Sequence, residues 1–229
     1  LTFTEKAATE MEQRVDILLP YGYHDLWIHT FHGFCQRVLQ QHALDIGISN
    51  DFKMLEEVGQ WLLVRQNLDQ FELEYYRTLG NPTKFIKALL KHFSKLKDEE
   101  ISPEEYLEFA KNTKLDKSNP EYDSEEEIVR LNEVAKAYHI YQRLLLSNDS
   151  LDFGDLINYA LKLFRTRPKI LNFYRSKFKY ILVDEFQDTN YAQYELIKLL
   201  AEPKNNLTVV GDDDQSIYKF RGASVSNIM

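Results

Sequence analysis

With 229 residues and 44% hydrophobic composition, the chain can build one large hydrophobic core or two modest ones, which excludes global disorder. A formal net charge of -8 excludes a protein that coats nucleic acid by bulk attraction, although a local basic groove is compatible with it. The single cysteine, Cys35, rules out an internal disulfide framework and suits a reducing compartment, with cytoplasm the default; no stretch reaches the roughly 18 to 20 uncharged apolar residues that a membrane span needs.

The chain opens on "LTFT", which reads as a strand remnant and as the start of a piece cut from a longer protein, and "GASVSNIM" ends it with no helix-closing signal. "EKAATEMEQRV" consists of good helix formers, and "DLWIHTF" is a short apolar run that reads as a strand. From about Asp51 to Arg175 the pattern is helical. "EEVGQWLLVRQNLDQF", "NPTKFIKALLKHFSKL", "SPEEYLEFAKN" and "EEEIVRLNEVAKAYHIYQRLLL" carry periodic apolar residues, with Asn81-Pro82 and Ser102-Pro103 as predicted helix starts. Trp61, Phe71, Tyr75, Phe85, Phe93 and Tyr106 in this block read as core. Lys84, Lys87, Lys91, Lys95 and Lys97 offer a basic face to duplex DNA, with a solvated helix face as the equal alternative. The acidic stretch between Asp98 and Glu127 reads as solvated surface.

Two further strands come next, "KYILVDEF" and "NLTVVGDDD", with the helix "NYAQYELIKLLA" between them placing Ala192, Leu196 and Leu199/Leu200 on one face. Both runs read as strands buried on two faces and ending in polar residues at a sheet edge. Their natural sheet partners lie before residue 50, so the helical block is an insertion into an α/β sheet.

Chemistry concentrates at the ends of these two strands. An aspartate at the C-terminal end of a parallel strand can bind a cation while the next residue points into the ligand crevice. Asp184 and Glu185 fit that pattern, with Glu185 able to take a proton from an attacking water. Structural carboxylates are the even alternative on this strand alone. In "VVGDDDQSIYKFRGA" the arrangement recurs: Gln215 can offer a neutral hydrogen bond to a phosphate or a water, and Tyr218, Phe220 and Arg221 suit base stacking and phosphate contact.

"TFTEKAATEM", "TFHGFC" (Thr30 to Cys35), "VDEFQDTN" (Val183 to Asn190) and "VGDDDQSIYKFRGA" (Val210 to Ala223) together resemble motifs Ia, Ib, II and III of the UvrD/Rep/PcrA family of superfamily 1 DNA helicases, in the family's order. "LDFGDLI" (Leu151 to Ile157) is similar to another family segment, with Gly154 where an acidic residue is common. The resemblance implies an α/β fold: a partial RecA-like P-loop NTPase domain (1A) from residues 1–50 and 176–229, carrying an inserted all-helical 1B-like domain over 51–175. It implies ATP and Mg²⁺ as cofactors, Asp184 holding the metal, Glu185 orienting or deprotonating water, and Gln215 sensing the γ-phosphate. Phe3, Thr30, His32, Tyr218, Phe220 and Arg221 would face single-stranded DNA, with Phe220 standing where Trp is commoner.

The implied parent is an ATP-driven 3′-5′ translocase that acts on single-stranded DNA and duplex junctions; repair, replication restart and plasmid copying are all compatible with it. The family's glycine-rich loop ending in Gly-Lys-Ser/Thr does not occur in these 229 residues. The resemblance places that loop upstream and the second motor domain downstream, so the chain alone is expected to be inactive and its sheet to expose an edge. A degenerate helicase retained as a structural or DNA-binding subunit is the alternative. Polymerase or two-metal nuclease readings leave "TFHGFC" and "QSIYKFRGA" unexplained. His29, His32 and Cys35 have zinc-like spacing but no CxxC elsewhere, which favours a DNA-contacting loop that leads into a helix.

Overall fold

The computed structural model describes residues 1–19, 26–113, 124–212 and 214. In chain order the main elements are α1 (Glu5–Leu18), α2 (Phe31–His42), β1 (Lys53–Met54), α3 (Glu57–Gln66), α4 (Ile86–Asp98), α5 (Pro103–Asn112) and α6 (Ser124–Ser147). They are succeeded by β2 (Ser150–Leu151), α7 (Phe153–Thr166), α8 (Pro168–Lys177), β3 (Ile181–Val183), α9 (Tyr191–Ala201) and β4 (Leu207–Val209). Two compact units result, one combining Leu1–Asp51 with the segment from Phe153 onward, the other formed by Phe52–Asp152. The sequence pattern carries the helical block to residue 175, whereas α7 and α8 pack with the terminal segments. The fold is thus a mixed, helix-rich one with a few short parallel strands.

In the first unit α7 is the hub. Leu156, Ile157, Ala160, Leu161 and Phe164 recur at helical spacing and are buried; α7 packs against α2, whose Phe34, Cys35, Val38 and Leu39 are buried, and against α9, whose Leu196 and Leu200 are buried. β3 and β4 run parallel, with Ile181, Leu182 and Val183 opposite Leu207, Thr208 and Val209. Leu1 extends the bonding on the other side of β3: its nitrogen donates to the Leu182 carbonyl (2.6 Å), and its carbonyl accepts from the Asp184 N–H (3.0 Å). Thr2 in turn bridges to Thr30 in parallel sense. "LTFT" and "DLWIHTF" therefore contribute single bridging positions rather than full strands.

Expectation and structure differ on burial. Ile181 and Val183 point into the core, but Leu182, between them, is 62% exposed. Burial alternates at period two along β3, with Tyr180 before it also facing solvent, whereas Thr208 and Val209 of β4 and Val210 after it are all exposed, so among the described residues the sheet is only partly covered.

The second unit closes on a core of Phe71, Phe93, Leu89, Leu96, Tyr138, Tyr141 and Leu145, with the Phe93 ring stacked against Tyr138 (5.0 Å) and Tyr141 (5.4 Å). Ser102 and Glu105 form a capping box that starts α5 at Pro103, as the sequence predicts. Helix α4 instead begins at Ile86. The Asn81 carbonyl accepts from the Thr78 hydroxyl (2.8 Å) and the Lys84 N–H (3.1 Å), so Asn81-Pro82 closes a turn and does not open the helix. Buried Glu133 caps the loop before it by accepting the backbone N–H groups of Glu74, Tyr75 and Tyr76 at 2.9 to 3.1 Å. Of the residues read as core, Tyr75 is 47% exposed and carries the Arg130 guanidinium over its ring at 4.0 Å.

Lys84, Lys87, Lys91 and Lys95 are exposed. Lys97 is not part of that face: only 2% exposed, its ammonium donates to Asp152 Oδ2 at 2.7 Å, and the Tyr141 hydroxyl donates to the same oxygen at 2.9 Å. Two residues beyond Lys95 is about 200° round a helix, which turns Lys97 toward the apolar side with Phe93 and Leu96. Removing one member of a buried pair leaves an uncompensated charge, so Lys97→Met is expected to lower stability by about 3 to 5 kcal/mol, and adding Asp152→Leu to recover much of that loss. Urea denaturation of the three chains tests this; an unmoved midpoint for Lys97→Met would contradict it.

Candidate active site

The carboxylates singled out in the sequence stand on a bulge. The Val210 N–H donates to the Val183 carbonyl (2.8 Å), and the Val210 carbonyl accepts from the Phe186 N–H (2.9 Å). Regular parallel pairing would take residue 185 as the second partner, so one residue is extra and Asp184–Glu185 is pushed out of the ladder at the C-terminal edge of β3. Glu185 absorbs the turn in a left-handed conformation (φ 54°, ψ 41°), which is uncommon for a non-glycine residue. Asp184 is half-buried and Glu185 exposed.

Beyond the bulge the chain enters a buried polar scaffold. Phe186–Asp188 forms a short 3₁₀ turn, closed by the Thr189 hydroxyl donating to the Phe186 carbonyl at 2.7 Å. Asn190 and Gln193 exchange capping bonds that start α9: the Asn190 side chain accepts from the Gln193 N–H (2.9 Å), and the Gln193 side chain accepts from the Asn190 N–H (3.1 Å). Thr189, Asn190 and Gln193 are thus hydrogen-bonded inside the protein, as buried polar groups usually are.

Gln187, to which the sequence pattern assigns no role, is 1% exposed and joins the two strand ends. Its Nε2 donates to Glu185 Oε2 at 2.6 Å, and its Oε1 accepts from the Asp212 N–H at 3.0 Å. The amide cannot be reversed, because that would set donor against donor at Asp212 and oxygen against carboxylate at Glu185. Gly211 makes room for it: a Cβ there would lie 2.5 Å from Gln187 Oε1 and 3.3 Å from the backbone nitrogens of Phe186 and Gln187.

A second cluster gathers at the starts of α1 and α2. The Thr4 hydroxyl accepts from the Ala7 N–H to cap α1, and the Thr30 hydroxyl accepts from the Gly33 N–H (3.0 Å) to cap α2 while donating to Glu5 Oε1 (2.7 Å). Thr30 is 5% exposed and ties the two helix starts together. Phe3 lies edge-on to Phe31 (6.4 Å). The His32 ring meets Phe153 edge-on (5.6 Å, 87°), and Phe153, which is not among the sequence-predicted site residues, is half exposed at the head of α7. Its signal in the sequence is the "LDFGDLI" segment, which contains an aromatic at this position.

His29 Nε2 faces the Arg37 guanidinium at 3.1 Å; burial first, then that cation, holds the imidazole below its ordinary pKa. Cys35 is fully buried on α2, and burial pushes its thiol far up. Gln215, Tyr218, Phe220 and Arg221 lie outside the described residues. Among the described residues no three or more His, Cys, Asp or Glu side chains gather as a metal cage, and no helix is long and apolar enough to cross a membrane.

Asp184 and Glu185 thus stand side by side at the edge of two parallel strands, backed by a buried amide. The chain belongs to the UvrD/REP helicase family: the family's N-terminal domain description matches residues 1–229. It is 43% identical over 230 residues to the ATP-dependent DNA helicase PcrA of Bacillus subtilis (strain 168), covering 100% of this chain and 28% of that relative. It is 40% identical over 234 residues to the ATP-dependent DNA helicase PcrA of Staphylococcus aureus (strain COL), and 40% identical over 229 residues to that of Staphylococcus epidermidis, with the same coverage. The chain thus spans under a third of the length of the curated relatives it matches.

A local consequence of the geometry is measurable. Thr30→Ala removes both the cap of α2 and the partner of Glu5 and is expected to cost about 1 kcal/mol, whereas Thr30→Ser keeps the hydroxyl and stays near wild type. Equal thermal unfolding curves for Thr30→Ala and wild type would contradict the capping role.

Proposed function

We propose that this chain is part of an ATP-dependent DNA helicase that moves 3′-5′ along single-stranded DNA and separates duplexes at junctions. In this reading the first unit is part of a RecA-like motor domain and the second a 1B-like insertion. The observation that carries the reading is the bulge that presents Asp184 and Glu185 together, with Glu185 already oriented by Gln187.

Mg²⁺ binds through one or two carboxylates and otherwise keeps water and phosphate oxygens, so a single aspartate at a strand end suits it without a protein cage. Asp184 would hold that ion. Bound Mg-ATP supplies the electrophilic phosphorus and the leaving diphosphate. Glu185 would take the proton of the attacking water; its Oε2 is engaged by Gln187, which directs Oε1 to that water. Gln215 would contact the γ-phosphate. These 229 residues contain no Gly-Lys-Ser/Thr phosphate loop, so the chain alone would supply only part of the nucleotide site and would not turn over ATP.

On the DNA side, Phe3, His32 and Phe153 would join Tyr218, Phe220 and Arg221 along the strand. Thr30 would contribute by fixing the starts of α1 and α2, whose N-terminal N–H groups favour phosphates. Aromatic stacking accepts every base, which suits a motor that steps regardless of sequence. A cytoplasmic enzyme acting in DNA repair fits this reading.

In the full-length protein, Glu185→Gln is expected to abolish ATP hydrolysis while nucleotide binding persists. A variant that still turned over ATP at the wild-type rate would remove Glu185 as the base. Phe153→Ala should weaken single-strand binding by about 1 to 3 kcal/mol, the worth of one base stack. Fluorescence anisotropy with a labelled oligonucleotide reads this directly, and unchanged affinity would take Phe153 off the DNA path.

A further inference from the structure

Three aromatic rings stand in an ordered group at the surface edge of the second unit's core. Tyr75 and Phe85 are near-parallel, at 26° with centroids 6.4 Å apart. Tyr76 is edge-on to both, 5.0 Å from Tyr75 at 81° and 5.4 Å from Phe85 at 90°. Tyr76 packs against the core, whereas Tyr75 is 47% exposed. Each of the two near-parallel rings carries a cation: the Arg130 guanidinium lies 4.0 Å from the Tyr75 centroid, and the Lys84 ammonium 5.0 Å from that of Phe85. Arg130 also pairs with Glu126, one helical turn away, at 2.7 Å.

The loop that carries Tyr75 is fixed from inside. Glu133, only 7% exposed, accepts the backbone N–H groups of Glu74 and Tyr76 on Oε1 and that of Tyr75 on Oε2, at 2.9 to 3.1 Å. Burying a carboxylate carries a desolvation penalty, and the result of these three bonds is a single backbone path beneath an exposed ring. Pre-orientation of that kind strengthens binding, because the ring is already ordered when a ligand arrives.

The chemistry of the group selects its ligand. A quaternary ammonium, which aromatic cages commonly hold, would meet Arg130 and Lys84 as like charges. An unpaired nucleobase meets no such obstacle: every base has a π-face that stacks on an aromatic ring, and its phosphates are drawn to the cations beside that ring. Beyond Lys84, the exposed Lys87, Lys91 and Lys95 continue the positive charge along α4. In an intact duplex the base faces are covered by their neighbours, so stacking on Tyr75 requires a single strand.

We propose that Tyr75 and Arg130, backed by Tyr76 and Phe85, form a second nucleic-acid site that takes an unpaired base of single-stranded DNA, with the flanking phosphates on Arg130, Lys84 and Lys87. The site lies wholly within the second unit and shares no residue with the carboxylate site. It extends the reading under Proposed function, on which the choice of DNA rests, to a separate place on the molecule.

The test is photo-crosslinking of the full-length protein to oligo-dT carrying 4-thiothymidine, followed by mapping of the adducts. An adduct is expected on the tryptic peptide Gln66–Arg77, which contains Tyr75. Unlabelled oligo-dT should suppress it, whereas blunt duplex and poly-glutamate should not. In Tyr75→Ala, affinity for oligo-dT read by fluorescence anisotropy is expected to fall by about 5- to 100-fold, the worth of one stacked base, and Tyr75→Phe should keep wild-type affinity. Arg130→Gln leaves the ring in place and should flatten the dependence of log Kd on log salt by about 0.7, one phosphate contact on a single strand.

Oligo-dT binding with no adduct on that peptide, or Tyr75→Ala with wild-type affinity, would overturn the second site and leave the proposed function standing. Competition by duplex as effective as by oligo-dT would overturn it in favour of a duplex-facing surface, and equal competition by poly-glutamate in favour of an acidic protein segment. An unmodified protein that binds no oligo-dT at low salt would overturn this site and the DNA reading together.

Discussion

The backbone of Val210 decides where the two carboxylates go. By bonding to Val183 on one side and Phe186 on the other, it skips a residue and forces Asp184–Glu185 out of the sheet. The left-handed conformation of Glu185 costs about 1 to 3 kcal/mol for a residue with a side chain. It persists because the surroundings over-determine it: the Asp188 N–H donates to the Glu185 carbonyl at 3.0 Å, the Thr189 N–H and hydroxyl both reach the Phe186 carbonyl, and the Asn190–Gln193 box pins the start of α9. Strain at this position accompanies the turning of Asp184 and Glu185 out of the ladder; a regular strand would have sent their side chains to opposite faces.

Polar burial has the same character elsewhere in the molecule. In the second unit, Lys97 and Tyr141 both donate to the buried Asp152 carboxylate, and Glu133 gathers the backbone N–H groups of Glu74, Tyr75 and Tyr76. Each arrangement replaces water with fixed donors and acceptors, and each specifies one geometry where hydrophobic packing alone would tolerate several.

Much of this is legible in the amino-acid sequence. Strands β3 and β4 follow from β-branched runs ending in polar residues, α5 from Ser-Pro-Glu-Glu, and α9 from its apolar spacing; the order of motifs points to the family. Other features are hidden because they depend on contacts distant in sequence. The bulge exists only when Val210 meets residues 183 and 186, and Gln187 has a partner 25 residues away in Asp212. Asn81-Pro82 imitates a helix start, yet its carbonyl is taken by a turn. Lys97 is the avoidable miss: it breaks the spacing of Lys84, Lys87, Lys91 and Lys95, and helical geometry alone places it on the apolar side. Leu182 looks like a residue buried from both sides because composition does not show which sheet face is covered.

If the bulge at Asp184–Glu185 belongs to a nucleotide-hydrolysing motor driven by DNA, steady-state ATP hydrolysis by the unmodified full-length protein, titrated with single-stranded DNA at saturating Mg-ATP, tests it most directly. Turnover is predicted to rise with DNA to a plateau and to fall away when Mg²⁺ is chelated. No hydrolysis above background at any DNA concentration would contradict the motor and would leave a DNA-binding or structural subunit as the better description.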